Sequence, residues 1–587
     1  MTPDKTVFTW DNCEAEVSVT PVSAENGIYL YRITVDYPEK RFPERIKLRW
    51  FTEFDDIFST WNPGGRFLHE LMPSWRPVDT RSRSAAGAPV FSMMAKGSEN
   101  RCTFALADAA NPVRLTGGME ERSGKIECTV ELFTDRVDML DHYETLLRVD
   151  ESRRPYYDAV YGVRQWWTET GYPAAHVPED AKRTMFSSWY SFQKLISEEP
   201  VLEQCRMAKE LGMDTVILDD GWQCDELVNG YSYCGDWEAV PSKFPDMRRF
   251  MDRLHAMEMK CILWYSVPFA GIYAKNFERF KNRYLRAYRS DGSVMVIDPR
   301  FADVREWLVE TYVTALREWD LDGFKLDFID SFSLAEDSST DYDAMDCPSL
   351  EAAVEKLLDE IMTALKAVKP DVMIEFRQSY IGPVMQKYGN ILRVGDCAGA
   401  ALVNRVSSID LRLLAGDPTL HETTAIHSDM LMWDYDASPE GAADQLAACL
   451  FCTAQISVMF EKLSPEHRKM LKWYMDFMDE YRDVLLGGKL KPRNPDANYT
   501  QVTAEKDGTV IAVMYADTMF TMAESAGRVI LANASGRSDV YVKNCGNDAV
   551  RTYTIRNCMG DVIREGTVHL SGITEFDVPH NGFLYLE

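Results

Sequence analysis

Gly323-Phe324-Lys325-Leu326-Asp327-Phe328-Ile329-Asp330 follows a helical pattern running from Val304 to Trp319. The octapeptide is itself short, apolar and β-prone, the signature of a strand buried in a parallel sheet. Alternation along such a strand puts Lys325 and Asp327 on one face, two residues apart. Burying both charges is costly unless each is used. Two uses are open on these residues alone. One is a structural ion pair; the other is a nucleophilic carboxylate presented at the C-terminal end of a barrel strand.

Outward from this stretch, strand and helix patterns alternate. Thr184–Tyr190, Thr215–Trp222 and Lys260–Tyr265 precede it, with helices expected over Pro200–Leu211 and Met247–Met257. A helix over Leu350–Val368 follows, then strands at Val372–Arg377, Asn390–Asp396, Thr424–Ser428 and Gln455–Phe460. Eight strands in about 280 residues is the size of one (β/α)8 barrel. A helix over Pro465–Val484 closes it. The expected architecture is therefore multidomain α/β. A central (β/α)8 TIM barrel, 173–486, is flanked by an N-terminal β-sandwich, 1–172, and a small C-terminal β-sandwich, 487–587. The flanking units rest on alternating segments such as Ile28–Val35, Lys125–Leu132 and Thr509–Tyr515.

Composition narrows the function. The chain has 587 residues, 46% of them hydrophobic and 12% aromatic, which suits several packed domains rather than disorder. A formal net charge of −28 argues against binding nucleic acid or an anionic membrane surface. No run is long enough to span a bilayer, and Met1-Thr-Pro-Asp-Lys5 lacks the apolar core of a secretion signal. Thirteen cysteines, an odd total without a disulfide framework, suit reduced thiols in a cytoplasmic protein.

Several expected strand ends carry acids or long polar groups: Asp219 and Asp220; Lys325 and Asp327; Arg377; Arg393 with Asp396. Active sites of barrels gather at those ends. No His/Cys/Asp grouping has metal spacing, no glycine-rich phosphate loop follows a strand, and no serine sits in a nucleophile elbow. What remains is a carboxylate site with Trp222 and Trp264 as candidate walls, which suits a sugar. His427 is either a satisfied polar residue or a ligand contact. Trp61, in Thr60-Trp-Asn-Pro-Gly-Gly-Arg66, is either packing or an aromatic wall lent by the N-terminal unit.

These stretches resemble glycoside hydrolase family 36, related to families 27 and 31. The matching segments are Leu218-Asp-Asp-Gly-Trp222, Gly235-Asp-Trp237 running to Lys243-Phe-Pro245, and Gly323-Phe-Lys-Leu-Asp327. The resemblance implies Asp327 as nucleophile, Asp219 and Asp220 as ligands of sugar hydroxyls, and Lys325 on a ring hydroxyl. The family's glycine-rich, Cys-containing segment is replaced by Glu375-Phe-Arg-Gln-Ser-Tyr380. Its Trp-x-Ser-Asp is replaced by Arg393-Val-Gly-Asp396, where Asp396 is the natural acid/base with Arg377 or Arg393 beside it.

The implied activity is a retaining alpha-galactosidase acting on small oligosaccharides, without a cofactor. The carboxylates should stand about 5–5.5 Å apart. The nucleophile's pKa should be lowered and the acid's raised. Alternatives on the same scaffold are an alpha-N-acetylgalactosaminidase, an alpha-glucosidase, a transglycosidase, or a sugar-binding protein that has lost catalysis. The sequence leaves the oligomeric state open, a homo-oligomer included.

Overall fold

The computed structural model describes residues 6–11, 13–227, 230–523, 526–546 and 548–587. Met1–Lys5, where no secretion signal is expected, lies outside the described residues. Eight strands close into a barrel: β1 (Met185–Ser187), β2 (Thr215–Leu218), β3 (Lys260–Ser266), β4 (Gly323–Asp327), β5 (Met373–Arg377), β6 (Ile391–Arg393), β7 (Ala425–Leu431) and β8 (Thr453–Ile456). Every neighbouring pair is parallel, and β1 pairs with β8 to seal the ring. The strand that opens the octapeptide needs its glycine. A Cβ at Gly323 would lie 2.5 Å from the Met373 carbonyl oxygen, so only glycine lets β4 and β5 approach this closely.

Helices Glu198–Glu210, Met247–Ala256, Ala302–Trp319 and Leu350–Val368 lie between the strands in chain order. Two start where the sequence places a cap: the Asp246 side chain accepts from Arg249 N, and Ser349 from Ala352 N. Strand ends differ from expectation at both sides of the seam. β1 stops at Ser187 because the Tyr190 and Ser191 amides turn to donate to Ser457 Oγ. β8 begins and ends earlier than expected. Phe460 instead folds onto Phe186, ring centroids 5.3 Å apart, and donates its amide to Gln204 Oε1. β7 runs on to Leu431 with an irregularity between His427 and Met430, and this extension carries Asp429.

Before the barrel, five- and six-stranded sheets of antiparallel strands pack face to face. Alternation does what it predicts there: Tyr31, Ile33, Val35 and Tyr37 turn inward along one strand, and Ile126, Cys128, Val130 and Leu132 along another. After the barrel come a seven-stranded and a three-stranded sheet. Each of these contains a parallel pair, Thr509–Met514 with Arg528–Asn533 and Met519–Met522 with Asp539–Asn544. The first sandwich leans on the C-terminal ends of β4 and β5. Arg83 donates to the Asp330 and Phe332 carbonyls at 2.7 and 2.6 Å, and the Gly87 amide donates to Ser379 O at 2.8 Å.

All thirteen cysteines are free thiols. One paired spacing escapes the sequence reading, Cys449-Leu-Phe-Cys452. Both thiols are buried. Among the described residues no helix is long and apolar enough to cross a membrane.

Candidate functional site

At the C-terminal end of β4, Lys325 and Asp327 do share a face, yet they are not each other's main partner. Lys325 Nζ donates to Asp219 Oδ2, on the loop after β2, at 2.6 Å. Asp327 is held instead by Arg377 from the end of β5, whose Nε donates to Oδ1 at 2.6 Å. Trp264 Nε1 donates to Oδ2 at 3.0 Å, and the Phe328 amide to Oδ1 at 2.8 Å. Burial works to raise the Asp327 pKa, but the Arg377 and Lys325 charges and the Trp264 bond outweigh it and hold the carboxyl well below its ordinary range.

Charges alternate in sign around the barrel from β2 to β7. Asp219 meets Lys325; the neighbouring Glu375 on β5 lies 3.4 Å from Arg393 Nε, and Arg393 reaches Asp429 on β7 at 2.6 Å and Asp396 at 3.0 Å. Each buried charge thereby has an opposite neighbour, the condition for keeping such groups in an interior. Arg393 is 1% exposed, and its Nη1 and Nη2 donate to Asp429, Asp396 and the Val394 carbonyl. It organises carboxylates and offers no open face to a sugar.

Asp396 stands at the mouth with a side chain 65% exposed. Partial desolvation pushes its pKa up, but Arg393, Lys325 and Arg377 together hold it lower than usual. This departs from the raised value expected of an acid, and the cause is the arginine bonded to it. Asp220 goes the other way. Burial pushes it up to about 6 despite Lys194, whose Nζ lies 3.6 Å away, and a 2.6 Å bond from Gln223. The turn that presents Asp219 and Asp220 depends on Gly221, at φ +119°, where a Cβ would lie 2.8 Å from Lys194 Cα. Lys243, of the Lys-Phe-Pro segment, ties that turn down by donating to the Lys194 and Gly221 carbonyls at 2.8 and 2.7 Å.

The four candidate sugar contacts are placed as follows. Trp222 is fully buried, donates to the Trp264 carbonyl at 3.0 Å and packs against Trp237, Tyr265 and Trp319, so it supports the site from behind. Trp264 is 2% exposed; it enters through its N–H on Asp327 and not as an open platform. His427 is buried, bonded to the Ala181 carbonyl at 2.7 Å and to Gln455 at 3.1 Å, and burial pushes its pKa down to about 4. It belongs to the barrel interior. Trp61 lies at the junction of the units, donating to Asp410 Oδ1 at 2.7 Å. The loop it anchors does reach the site: a Cβ at Gly395 would come 3.3 Å from Arg66 Nη2.

Sequence reasoning passed over Lys194, Tyr190, Glu375, Tyr380 and Asp429. Glu375 was legible, since it alternates with Arg377 on β5 as Lys325 does with Asp327 on β4. Asp429 and Tyr190 were not, because one depends on the irregular extension of β7 and the other on the early end of β1. Tyr190 donates to Asp429 Oδ2 at 2.9 Å, and the Tyr380 hydroxyl stands 3.3 Å from Asp327 Oδ1. Among the described residues no group of three or more His, Cys, Asp or Glu side chains is placed to hold a metal ion.

Comparison with known proteins agrees with this fold. The TIM-barrel domain of glycosyl hydrolases family 31 matches residues 185–357. Alpha-galactosidase 2 of Pediococcus pentosaceus is 26% identical over 198 residues, which is 33% of this chain and 27% of that protein. The chain therefore aligns with only about a quarter of that curated relative's length. The alpha-galactosidase of Lactobacillus brevis superposes with a TM-score of 0.63 at 12% identity, over 99% of this chain and 86% of that one. A variant of the family 36 alpha-galactosidase AgaA of Geobacillus stearothermophilus, crystallised with raffinose, superposes with a TM-score of 0.63 at 14% identity, over 100% and 86%. In fold over nearly its whole length, and in sequence over about a third of it, the chain resembles alpha-galactosidases, that of glycoside hydrolase family 36 among them.

Proposed function

We propose that this protein is a retaining alpha-galactosidase that removes terminal alpha-linked sugars from oligosaccharides by double displacement. The supporting observation is the state of Asp327. It is a carboxylate kept ionised at the end of β4 by Arg377 and Lys325, with a second carboxylate, Asp396, positioned by Arg393 at the mouth. An ionised carboxylate is the form that attacks an anomeric carbon. In this reading Asp327 is the nucleophile and Asp396 the acid/base, and retention requires such a pair to stand about 5–5.5 Å apart. Asp219, Asp220 and Lys325 read ring hydroxyls. The lowered pKa of Asp396 describes the free site. A bound sugar that displaces water from the mouth raises it toward what proton donation needs.

Oligosaccharide substrates of the raffinose kind come to this chain from the complex of its structural neighbour. The three units, divided near 172 and 486, and a reducing cytoplasmic location suited to thirteen free thiols belong to the same proposal. The test is release of nitrophenol from aryl α-galactosides, compared with N-acetylgalactosaminyl and glucosyl donors. Absence of turnover on all three would leave the proposal without support, and a preference for another donor would change the sugar but keep the mechanism.

A further inference from the structure

The two oxygens of the Asp327 carboxylate have different surroundings. Oδ1 accepts from Arg377 Nε at 2.6 Å and from the Phe328 amide at 2.8 Å, and it stands 3.3 Å from the Tyr380 hydroxyl. That hydroxyl has one proton, shared with the Leu326 carbonyl at 3.1 Å. Among the described residues Oδ2 accepts from Trp264 Nε1 alone, at 3.0 Å. Since each carboxylate oxygen offers two lone pairs, Oδ1 is saturated and Oδ2 keeps one free.

The arrangement at Oδ1 is built into the backbone. Phe328 adopts φ +66°, a left-handed conformation that bulky residues rarely take. Its ring is fixed between Tyr231 and Phe269, with centroids 5.0 and 4.7 Å away, and the Arg377 guanidinium lies 5.0 Å over it. The amide and the arginine are thus aimed at Oδ1 before any substrate arrives, which is how preorganised donors act.

Resting on the glycosidase reading above, we infer that Oδ2 bonds to the anomeric carbon, and that Arg377 with the Phe328 amide forms a cradle for Asp327 as leaving group in the second step. In the first step the C1–Oδ2 bond forms and the bond from C1 to the leaving oxygen breaks. Asp396 gives that oxygen its proton, and Oδ1 becomes the ester carbonyl oxygen. In the second step a water oxygen bonds to C1 and its proton passes to Asp396. The C1–Oδ2 pair then returns to the carboxylate, where charge developing on Oδ1 meets Arg377. A carboxylate paired with arginine attacks less readily and departs more readily. Arg377 therefore speeds breakdown of the covalent intermediate more than its formation.

The test uses the full chain and dinitrophenyl α-galactoside, whose leaving group needs no proton. For Arg377→Gln, kcat should fall ~100-fold, the effect of losing one preorganised donor. Its kcat/KM should hold or rise, and in no case fall by more than about fivefold, because that ratio stops at the first irreversible step. A burst of one dinitrophenolate per site should precede the steady state, and quenched protein should carry a hexosyl group on the Asp327 peptide. Azide should raise the variant's steady-state rate and leave the wild type's unchanged. Equal losses in kcat and kcat/KM, with no burst, would overturn the inference.

Tyr380→Phe, which leaves the ion pair intact, serves if Arg377→Gln does not fold. A fall of a few fold in kcat, on the order expected for one weak hydrogen bond, with KM falling alongside supports the cradle, and a matching fall in kcat/KM contradicts it. Failure of the glycosidase reading looks different. A wild type inert toward every aryl α-glycoside, or a folded Asp327→Ala that keeps full activity, removes both proposals at once.

Discussion

Two buried aspartates of this protein, Asp327 and Asp410, meet opposite electrostatic fates. Asp410 lies on the helix Ala401–Ala415 at the junction of the units, bonded by Trp61 of the first sandwich and by the Tyr499 hydroxyl from beyond the barrel. Both partners are neutral, and among the described residues its Oδ2 has no hydrogen-bond partner. Burial therefore dominates and pushes its pKa up to about 7, against the hydrogen bonds from Tyr499 and Trp61. Asp327 is equally buried, but Arg377 and Lys325 reverse the sign. Burial alone makes a carboxyl a neutral packing group, whereas burial beside cations makes it a held anion. The protein sets cations beside Asp327 and none against Asp410.

The largest effect should come from Asp327→Ala. Loss of a covalent nucleophile should remove at least ~5 kcal/mol of transition-state stabilisation, read as a fall in kcat of several orders of magnitude. Stability should change much less. Lys325 keeps Asp219, and Arg377 loses its carboxylate but keeps a 2.8 Å bond to the Gln378 carbonyl. A melting curve checks this. A loss of about 3–5 kcal/mol, the cost of stranding a buried charge, would mean that Asp327 is there to hold the barrel together.

Asp396→Ala should cost somewhat less, and unevenly. General acid catalysis is worth ~10²–10⁴-fold, so a disaccharide should lose that much while a nitrophenyl glycoside keeps more of its rate. Azide should give the retained anomer with this variant and the inverted one with Asp327→Ala, because each opens a different face of the sugar. The same anomer from both would show that the two roles are wrongly assigned.

Asp410→Asn sharpens the contrast on the stability side. The folded value near 7 lies above the unfolded value of about 3.9, so Asp410's contribution is full below about pH 4 and is lost as pH rises through 7. Between those limits the wild type should lose on the order of 2–4 kcal/mol that the asparagine variant keeps. Tm measured from pH 4 to 8 should fall more steeply for the wild type, and parallel curves would contradict the raised value. Asp327 works the other way: its contribution is present above about pH 4 and is lost as pH falls through its lowered folded value.

The smallest effect concerns Asp220. With its carboxyl pushed up to about 6, binding that needs the anion should weaken as pH drops through 6. A limb of kcat/KM near that pH should shift or vanish in Asp220→Asn, and persistence of the limb would move it to another group.

From the sequence alone came the barrel, its two β flanks, and the gathering of Asp219, Asp220, Lys325, Asp327, Arg377, Arg393 and Asp396 at strand ends. These are local facts: period-two alternation, helix spacing and the rule that barrel strands end at the site all act within a few residues. Which charge pairs with which was not legible. Lys325 and Asp327 stand two residues apart, yet Lys325 takes its closest partner from the loop after β2 and Asp327 from the end of β5, because closure of the barrel sets those distances. Aromatic residues misled for the same reason. Trp222 sits in a motif beside two acids and still turns inward, since three aromatic rings from other segments complete its packing. His427 and Trp61 likewise found partners 246 and 349 residues away. Sequence determined which groups stand at the mouth; only the closed barrel decided which of them face a ligand and which hold the others in place.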